Sequence, residues 1–166
     1  FSALIKSKNV VTTSNGTTAL TLALLGLGIG EGDKIIVPNF TFVAAANTVL
    51  QLGAEPVYVD VKEDTWCIDP EKIQEAITSD TKAIIGVHIY GNMCDMDKIC
   101  SISKKRDIFL IEDTAEAAFS KYNGKYAGTF GNIGCFSFQA TKTITMGEGG
   151  CVATDDTNLS KKMRKI

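Results

Sequence analysis

The chain has 166 residues, 45% of them hydrophobic and 22% charged, the balance of an ordinary globular domain. A domain of that size buries roughly 70% of its unfolded surface and needs neither disulfides nor a metal to hold together. With 17 basic against 19 acidic residues the net charge is -2, which argues against a protein that tracks a nucleic-acid backbone.

The longest weakly polar run, Ala19–Gly30, falls well short of the about 20 residues that cross a membrane. No start with a charged stretch followed by an apolar one resembles a secretion signal, so a cytoplasmic location without membrane attachment is expected. The cysteines Cys67, Cys94, Cys100, Cys135 and Cys151 form no Cys-x-x-Cys pair, and His88 is the only histidine. No metal site is expected, and the thiols are read as small apolar residues in a reducing compartment.

In chain order, Val10–Thr13 reads as a strand and Thr17–Leu27 as a helix. Lys34–Val37 then reads as a strand, Thr41–Leu52 as a helix and Pro56–Val61 as a strand. Asp69-Pro70 supplies a cap and a first-turn proline for a helix over Pro70–Ile77. A strand over Ala83–His88, a helix over Met96–Lys105 and a strand over Ile108–Glu112 follow. Strands over Ile133–Phe138 and Cys151–Thr154 and a charged helix over Asn158–Ile166 complete the chain. Several strands are continuous Ile/Val runs, as expected where both faces are covered. The alternation predicts a largely parallel sheet between helical layers, with functional loops at the carboxyl ends of the strands.

Four places could carry chemistry. Lys142 is the only charged residue between Lys125 and Glu148, and an amine among Phe136, Phe138, Ile144 and glycines is a candidate nucleophile for Schiff-base chemistry. The alternative is a loop lysine whose amine reaches solvent. Phe109-Leu110-Ile111 ends in Glu112-Asp113, of which only one can face a site, because strand side chains alternate. Ser14-Asn15-Gly16-Thr17-Thr18 opens a helix with free amides and hydroxyls suited to a phosphate, or simply caps that helix. Phe40 and Phe42 flank a strand-to-helix turn, where one ring could stack on a flat ligand. Ser137, between Phe136 and Phe138, points opposite to them and could face the same site. His88 reads as a structural histidine. Seven of the 15 glycines (124, 128, 131, 134, 147, 149 and 150) fall in one stretch, marking it as the place for a ligand.

Four motifs together resemble the DegT-type nucleotide-sugar aminotransferases: Asn15-Gly16-Thr17-Thr18-Ala19-Leu20, Pro38-x-x-Thr41-Phe42-x-Ala44, Glu112-Asp113-x-Ala115-Glu116-Ala117, and the run from Phe136 through Lys142 to Gly147-Glu148-Gly149-Gly150. The resemblance runs from about residue 10 to the end. It implies a three-layer α/β fold with a seven-stranded, mostly parallel sheet, the large domain of fold-type I pyridoxal-phosphate enzymes. Position by position, it gives Lys142 the covalent attachment of pyridoxal phosphate and Asp113 the pyridine nitrogen. Phe42 takes the ring face, Gly16, Thr17, Thr18 and Ser137 the phosphate, and Glu116 the ring hydroxyl. Gln139 falls where a polar residue approaches the sugar.

The last motif most resembles perosamine synthases, which implies transfer of an amino group from glutamate to C4 of a nucleotide-linked 4-keto-6-deoxyhexose, within polysaccharide (O-antigen) biosynthesis. Family members are about twice as long. Residues 1–166 are therefore expected to be the cofactor-binding large domain, truncated at both ends and lacking the C-terminal small domain, and to work as a homodimer. The competing readings are a truncated, non-catalytic cofactor- or partner-binding fragment and another fold-type I enzyme.

Overall fold

In a computed structural model describing residues 1–166, the elements run α1 (Ser2–Ile5), β1 (Asn9–Thr13), α2 (Gly16–Leu27), β2 (Lys34–Pro38), α3 (Ala44–Gln51), β3 (Glu55–Val59), α4 (Pro70–Ala76) and β4 (Thr81–Val87). There follow a short 3₁₀ turn (Ile89–Gly91), α5 (Met96–Arg106), β5 (Phe109–Asp113), the two-residue strands β6 (Lys121–Tyr122) and β7 (Lys125–Tyr126), β8 (Ile133–Ser137), β9 (Gly150–Thr154) and α6 (Thr157–Met163).

Seven strands form one sheet in the order β1-β9-β8-β5-β4-β2-β3. The pairs β2/β3, β2/β4, β4/β5 and β5/β8 are parallel, while β9 runs antiparallel to both β1 and β8. A core of 20 buried residues joins α2, α3 and α6 to one face, and a second of 13 joins α4 and α5 to the other. The continuous apolar strands follow from this double cover: every residue of β8 and of β9 is buried.

Local chemistry sets the helix starts. Asp69 accepts from the Glu71 N–H at 2.8 Å with Pro70 in the first turn, and Asp95 accepts from the Lys98 N–H at 3.2 Å. α3 opens later than Thr41, at Ala44, because the first helical bond runs from the Asn47 N–H to the Val43 carbonyl. Thr41 and Phe42 are thereby left in the turn. α6 stops at Met163, where the Lys165 N–H turns to the carbonyl of Lys162. β3 ends at Val59 instead of Val61, whose only pairing is an isolated bridge to Ile68.

Candidate active site

The carboxyl ends of β2, β4, β5 and β8 and the start of α2 enclose a cavity of about 520 Å³. Every residue expected at a site, except Thr18, lines it: Gly16, Thr17, Phe42, Asp113, Glu116, Ser137, Gln139 and Lys142.

α2 begins at the cavity because Asn15 caps it. The Asn15 carboxamide accepts from the Thr18 N–H at 2.9 Å, and the Thr18 hydroxyl accepts from the Asn15 N–H at 3.1 Å. Thr18 is thus committed to its own helix start. Gly16 lies against β8 so closely that a Cβ there would meet the Ser137 Cβ at 2.7 Å, which brings the helix start onto the hydroxyl of Ser137. Gly16, Thr17 and Ser137 together offer a helix N-terminus and two hydroxyls, a donor set suited to a phosphate.

The adjacent acids on β5 are separated by the strand's alternation. Glu112 is fully buried on the far side, where Oε2 accepts from His88 Nε2 at 3.1 Å and from the Gly128 N–H at 2.8 Å. Its Oε1 accepts from the N–H groups of Phe130 at 2.6 Å and Gly131 at 2.7 Å. His88 Nδ1 accepts from the Cys94 N–H at 3.2 Å, so the neutral ring carries its proton on Nε2 and is structural, as expected. Gly128, Gly131 and Gly134 of the glycine-rich stretch serve this knot: a Cβ on Gly134 would collide with the Gly128 carbonyl oxygen, so only close backbone contact lets the 128–131 amides reach Glu112. Of that stretch, only Gly147–Gly150 flank the cavity loop.

Asp113 faces the cavity. Burial pushes its carboxyl above the usual carboxylate range, opposed by the hydrogen bond that Oδ1 accepts from the Ala115 N–H at 3.0 Å. A buried carboxylate here, with Oδ2 free of protein donors, awaits a cation or a strong donor.

Lys142 stands on the loop between β8 and β9, with Nζ 3.7 Å from Glu116 Oε1 and 6.0 Å from the centroid of Phe42. Glu116 is anchored in turn, its Oε2 accepting from the Tyr90 N–H at 2.8 Å. Phe42 lines the cavity with a ring that is 67% exposed. Asn15, Thr41, Ala115 and Glu148, which stand in the motifs without a role of their own, also line the cavity, as do Val87 and Thr141, which sequence reasoning did not single out. For Glu148 a signal existed, since glycines flank it on both sides.

A strand-borne acid, a lysine on the neighbouring strand's loop, an exposed ring and a capped helix start thus converge on one cavity at the carboxyl ends of a mostly parallel sheet. Residues 1–166 match the DegT/DnrJ/EryC1/StrS aminotransferase family, and the chain belongs to that family. It is 54% identical over 148 residues to GDP-perosamine synthase of Escherichia coli O157:H7, covering 89% of this chain and 41% of that one. It is also 42% identical over 166 residues to the spore coat polysaccharide biosynthesis protein SpsC of Bacillus subtilis, covering 100% and 43% respectively. Among solved structures, the aminotransferase from Psychrobacter cryohalolentis superposes with a TM-score of 0.97 at 43% identity, covering 99% of this chain and 42% of that one. NtdA from Bacillus subtilis, with bound cofactor PMP, superposes with a TM-score of 0.90 at 40% identity, covering 98% and 37%. The chain spans less than half the length of these relatives. Its fold is that of the pyridoxal-phosphate-dependent aminotransferases, as the four motifs imply.

Proposed function

We propose that the chain is the cofactor-bearing large domain of a pyridoxal-phosphate-dependent aminotransferase. Its reaction transfers an amino group from glutamate to C4 of a nucleotide-linked 4-keto-6-deoxyhexose, in the manner of a perosamine synthase. The observation that carries this reading is Lys142, whose amine lines one cavity with the buried carboxylate of Asp113 and the exposed ring of Phe42.

The residues present fit the group. Asp113 would hold its ring nitrogen, Phe42 the ring face, and Glu116 the ring hydroxyl. Gly16, Thr17 and Ser137 would hold the phosphate, and Lys142 the aldehyde carbon. When bound, pyridoxal phosphate supplies an electron sink for a carbanion beside the reacting nitrogen.

The chain's own part is positioning and proton transfer. Asp113, desolvated, gains most when it meets a protonated ring nitrogen, so it favours the cationic ring. Glu116 Oε1, 3.7 Å from Nζ, orients the Lys142 amine, and the Tyr90 N–H holds Glu116. The freed amine serves as the base that takes a proton from the substrate carbon and as the acid that returns one. One lysine thus covers both duties, consistent with His88 being committed to Glu112.

The cavity's titratable groups are Asp113, Glu116, Glu148 and Lys142, a surplus of carboxylates. Neither arginine lines it: Arg106 ends α5 and Arg164 donates to the Val10 carbonyl at 2.6 Å. A nucleotide diphosphate needs cations the cavity does not supply. This supports a homodimer in which a second copy, or the remainder of a longer two-domain chain, completes the phosphate contacts. A cytoplasmic role in O-antigen or related polysaccharide synthesis fits the same substrate. No helix is long and apolar enough to cross a membrane.

Borohydride reduction of the cofactor-loaded protein, followed by peptide mapping, tests the reading. The adduct is expected on Lys142 and absent from Lys142→Ala. An adduct persisting on another lysine overturns the assignment, and no adduct at all in the wild type favours a non-catalytic fragment.

A further inference from the structure

The loop that carries Lys142 is held from within by one residue. Residues 140–144 make three hydrogen bonds, and all three end on Gln139. Its Oε1 accepts from the Thr141 N–H at 2.9 Å and from the Thr141 hydroxyl at 2.6 Å. Its backbone carbonyl accepts from the Lys142 N–H at 2.9 Å. A backbone N–H can only donate, so the Gln139 atom that faces it is the amide oxygen. The carbonyl bond to a residue three places on is that of a β-turn, and the side chain closes the same turn a second time.

Burial does little to hold this turn in other ways, because Ala140, Thr141, Thr143 and Ile144 are exposed. Gln139 is itself half-buried and follows the fully buried strand β8, to which its own N–H is tied by a long bond of 3.5 Å to Ser137 Oγ. It is therefore the residue at which the order of the sheet passes to the loop. Its NH₂ has no partner in the chain, so the two ends of one carboxamide are separable: the oxygen is committed to the turn, and the NH₂ is left for anything outside it.

We propose that Gln139 is the positioning residue for Lys142, its amide oxygen fixing the turn that aims the amine into the cavity. It acts through the lysine and not on the reacting atoms. The inference rests on the pyridoxal-phosphate reading above, in which that amine both attaches to the cofactor and moves protons. A lysine side chain has four torsions of its own, and a backbone free to turn beneath it would multiply the places its nitrogen visits. Displacements of about 1 Å at a reacting group can cost about a hundred-fold in rate, so a fixed turn is worth more to this lysine than to any other in the chain.

Three variants separate this from a side chain that only lines the cavity. Gln139→Leu loses both ends of the carboxamide, Gln139→Glu keeps the acceptor and loses the NH₂, and Thr141→Val loses the hydroxyl bond alone. In the cofactor-free protein, solvent exchange of the Thr141 and Lys142 amides, read by NMR, should accelerate about three- to ten-fold in Gln139→Leu, the scale of one neutral hydrogen bond. It should stay at the wild-type rate in Gln139→Glu. On mixing with pyridoxal phosphate, the borohydride-trapped adduct on Lys142 should form at least about ten-fold more slowly in Gln139→Leu, while Gln139→Glu, at its own pH optimum, stays close to the wild type. Turnover should follow the attachment rate, with kcat falling and the KM of the sugar little changed. Thr141→Val should lie between the wild type and Gln139→Leu, and should add nothing when combined with Gln139→Leu, since the oxygen it addresses is already gone.

A Gln139→Leu protein that exchanges those amides and attaches the cofactor at wild-type rates would overturn the inference. So would a Gln139→Glu protein that fails as badly as Gln139→Leu with a raised KM for the sugar, which would make Gln139 a substrate contact while the pyridoxal-phosphate reading stands. No adduct on Lys142 in the wild type would overturn that reading and the inference with it. Should Gln139→Leu fail to fold, Thr141→Val decides by the same rates, and wild-type behaviour there overturns the inference.

Discussion

Glu112 and Asp113 are neighbours on β5 with opposite duties, and replacing each by its amide separates them. Both Glu112 oxygens accept two N–H groups, at distances from 2.6 to 3.1 Å, and the side chain is fully buried. Glutamine keeps only one oxygen, so whichever way the amide turns, its NH₂ confronts two donors that have lost their acceptor. At about 1–3 kcal/mol for each buried donor left unpaired, Glu112→Gln costs about 2–6 kcal/mol. That is a large share of the about 5–15 kcal/mol that holds a domain folded. At roughly 2–4 °C per kcal/mol for a domain of this size, the midpoint falls by about 10 °C.

Asp113→Asn should do the reverse. Asparagine keeps the oxygen that accepts from Ala115 and carries no charge to desolvate. Because burial raises the folded carboxyl above its usual 3.8, the aspartate favours folding while protonated and loses that contribution as pH rises through the folded value. At pH 7 the cofactor-free Asp113→Asn protein should therefore be at least as stable as the wild type, while turnover falls by orders of magnitude. Urea melts followed by circular dichroism, with activity measured alongside, check both. A Glu112→Gln loss under about 1 kcal/mol, or an Asp113→Asn protein that is clearly less stable, would refute the reasoning.

Other outcomes follow from the same geometry. Phe42→Ala removes an exposed ring, so the melting midpoint without cofactor should hardly move, while cofactor affinity, read by absorbance titration, drops about three- to ten-fold for a lost stacking contact. Thr18→Val breaks the capping box and should cost about 1 kcal/mol in urea denaturation with cofactor affinity unchanged; a large loss of affinity would return Thr18 to the phosphate contacts. Gly134→Ala drives a methyl into the Gly128 backbone and should yield little soluble protein, because the strand cannot move without releasing Glu112.

Much of this was legible in the sequence. Short apolar runs, several of them continuous Ile/Val, located the seven strands of the large sheet, since the doubly covered central strands leave no polar face to blur them, and Lys142 and Asp113 stood out as a lone charge and a strand-end acid. Pairings distant in sequence were not legible. His88 and the 128–131 amides meet Glu112 only once the sheet is assembled, so the whole glycine-rich stretch read as a ligand loop, whereas Gly128, Gly131 and Gly134 serve a buried carboxylate and Gly147, Gly149 and Gly150 flank the cavity loop. For Thr18, a capping box and an anion site draw on the same residue types, so the sequence alone does not separate the two roles. The β6–β7 hairpin was overlooked although its signal was present: Asn123 and Gly124, with φ of 48° and 80°, form the turn that Asn-Gly favours.

The antiparallel course of β9 has a consequence for how the lysine is presented. A parallel return from β8 would need a crossover of a dozen or more residues, normally a helix laid over one face. By reversing direction, the chain goes from Ser137 to Gly150 at a single end of the sheet, and these two residues are paired in the ladder. The Phe138 N–H donates to the Gly149 carbonyl at 2.7 Å and the Met146 N–H to the Phe138 carbonyl at 2.9 Å, cinching the loop at its neck. The loop is therefore a closed noose, hung from two fully buried strands. Lys142 can swing through the several ångströms of its own side chain, but its Cα stays moored to the sheet, so its amine sweeps a small arc about a fixed point.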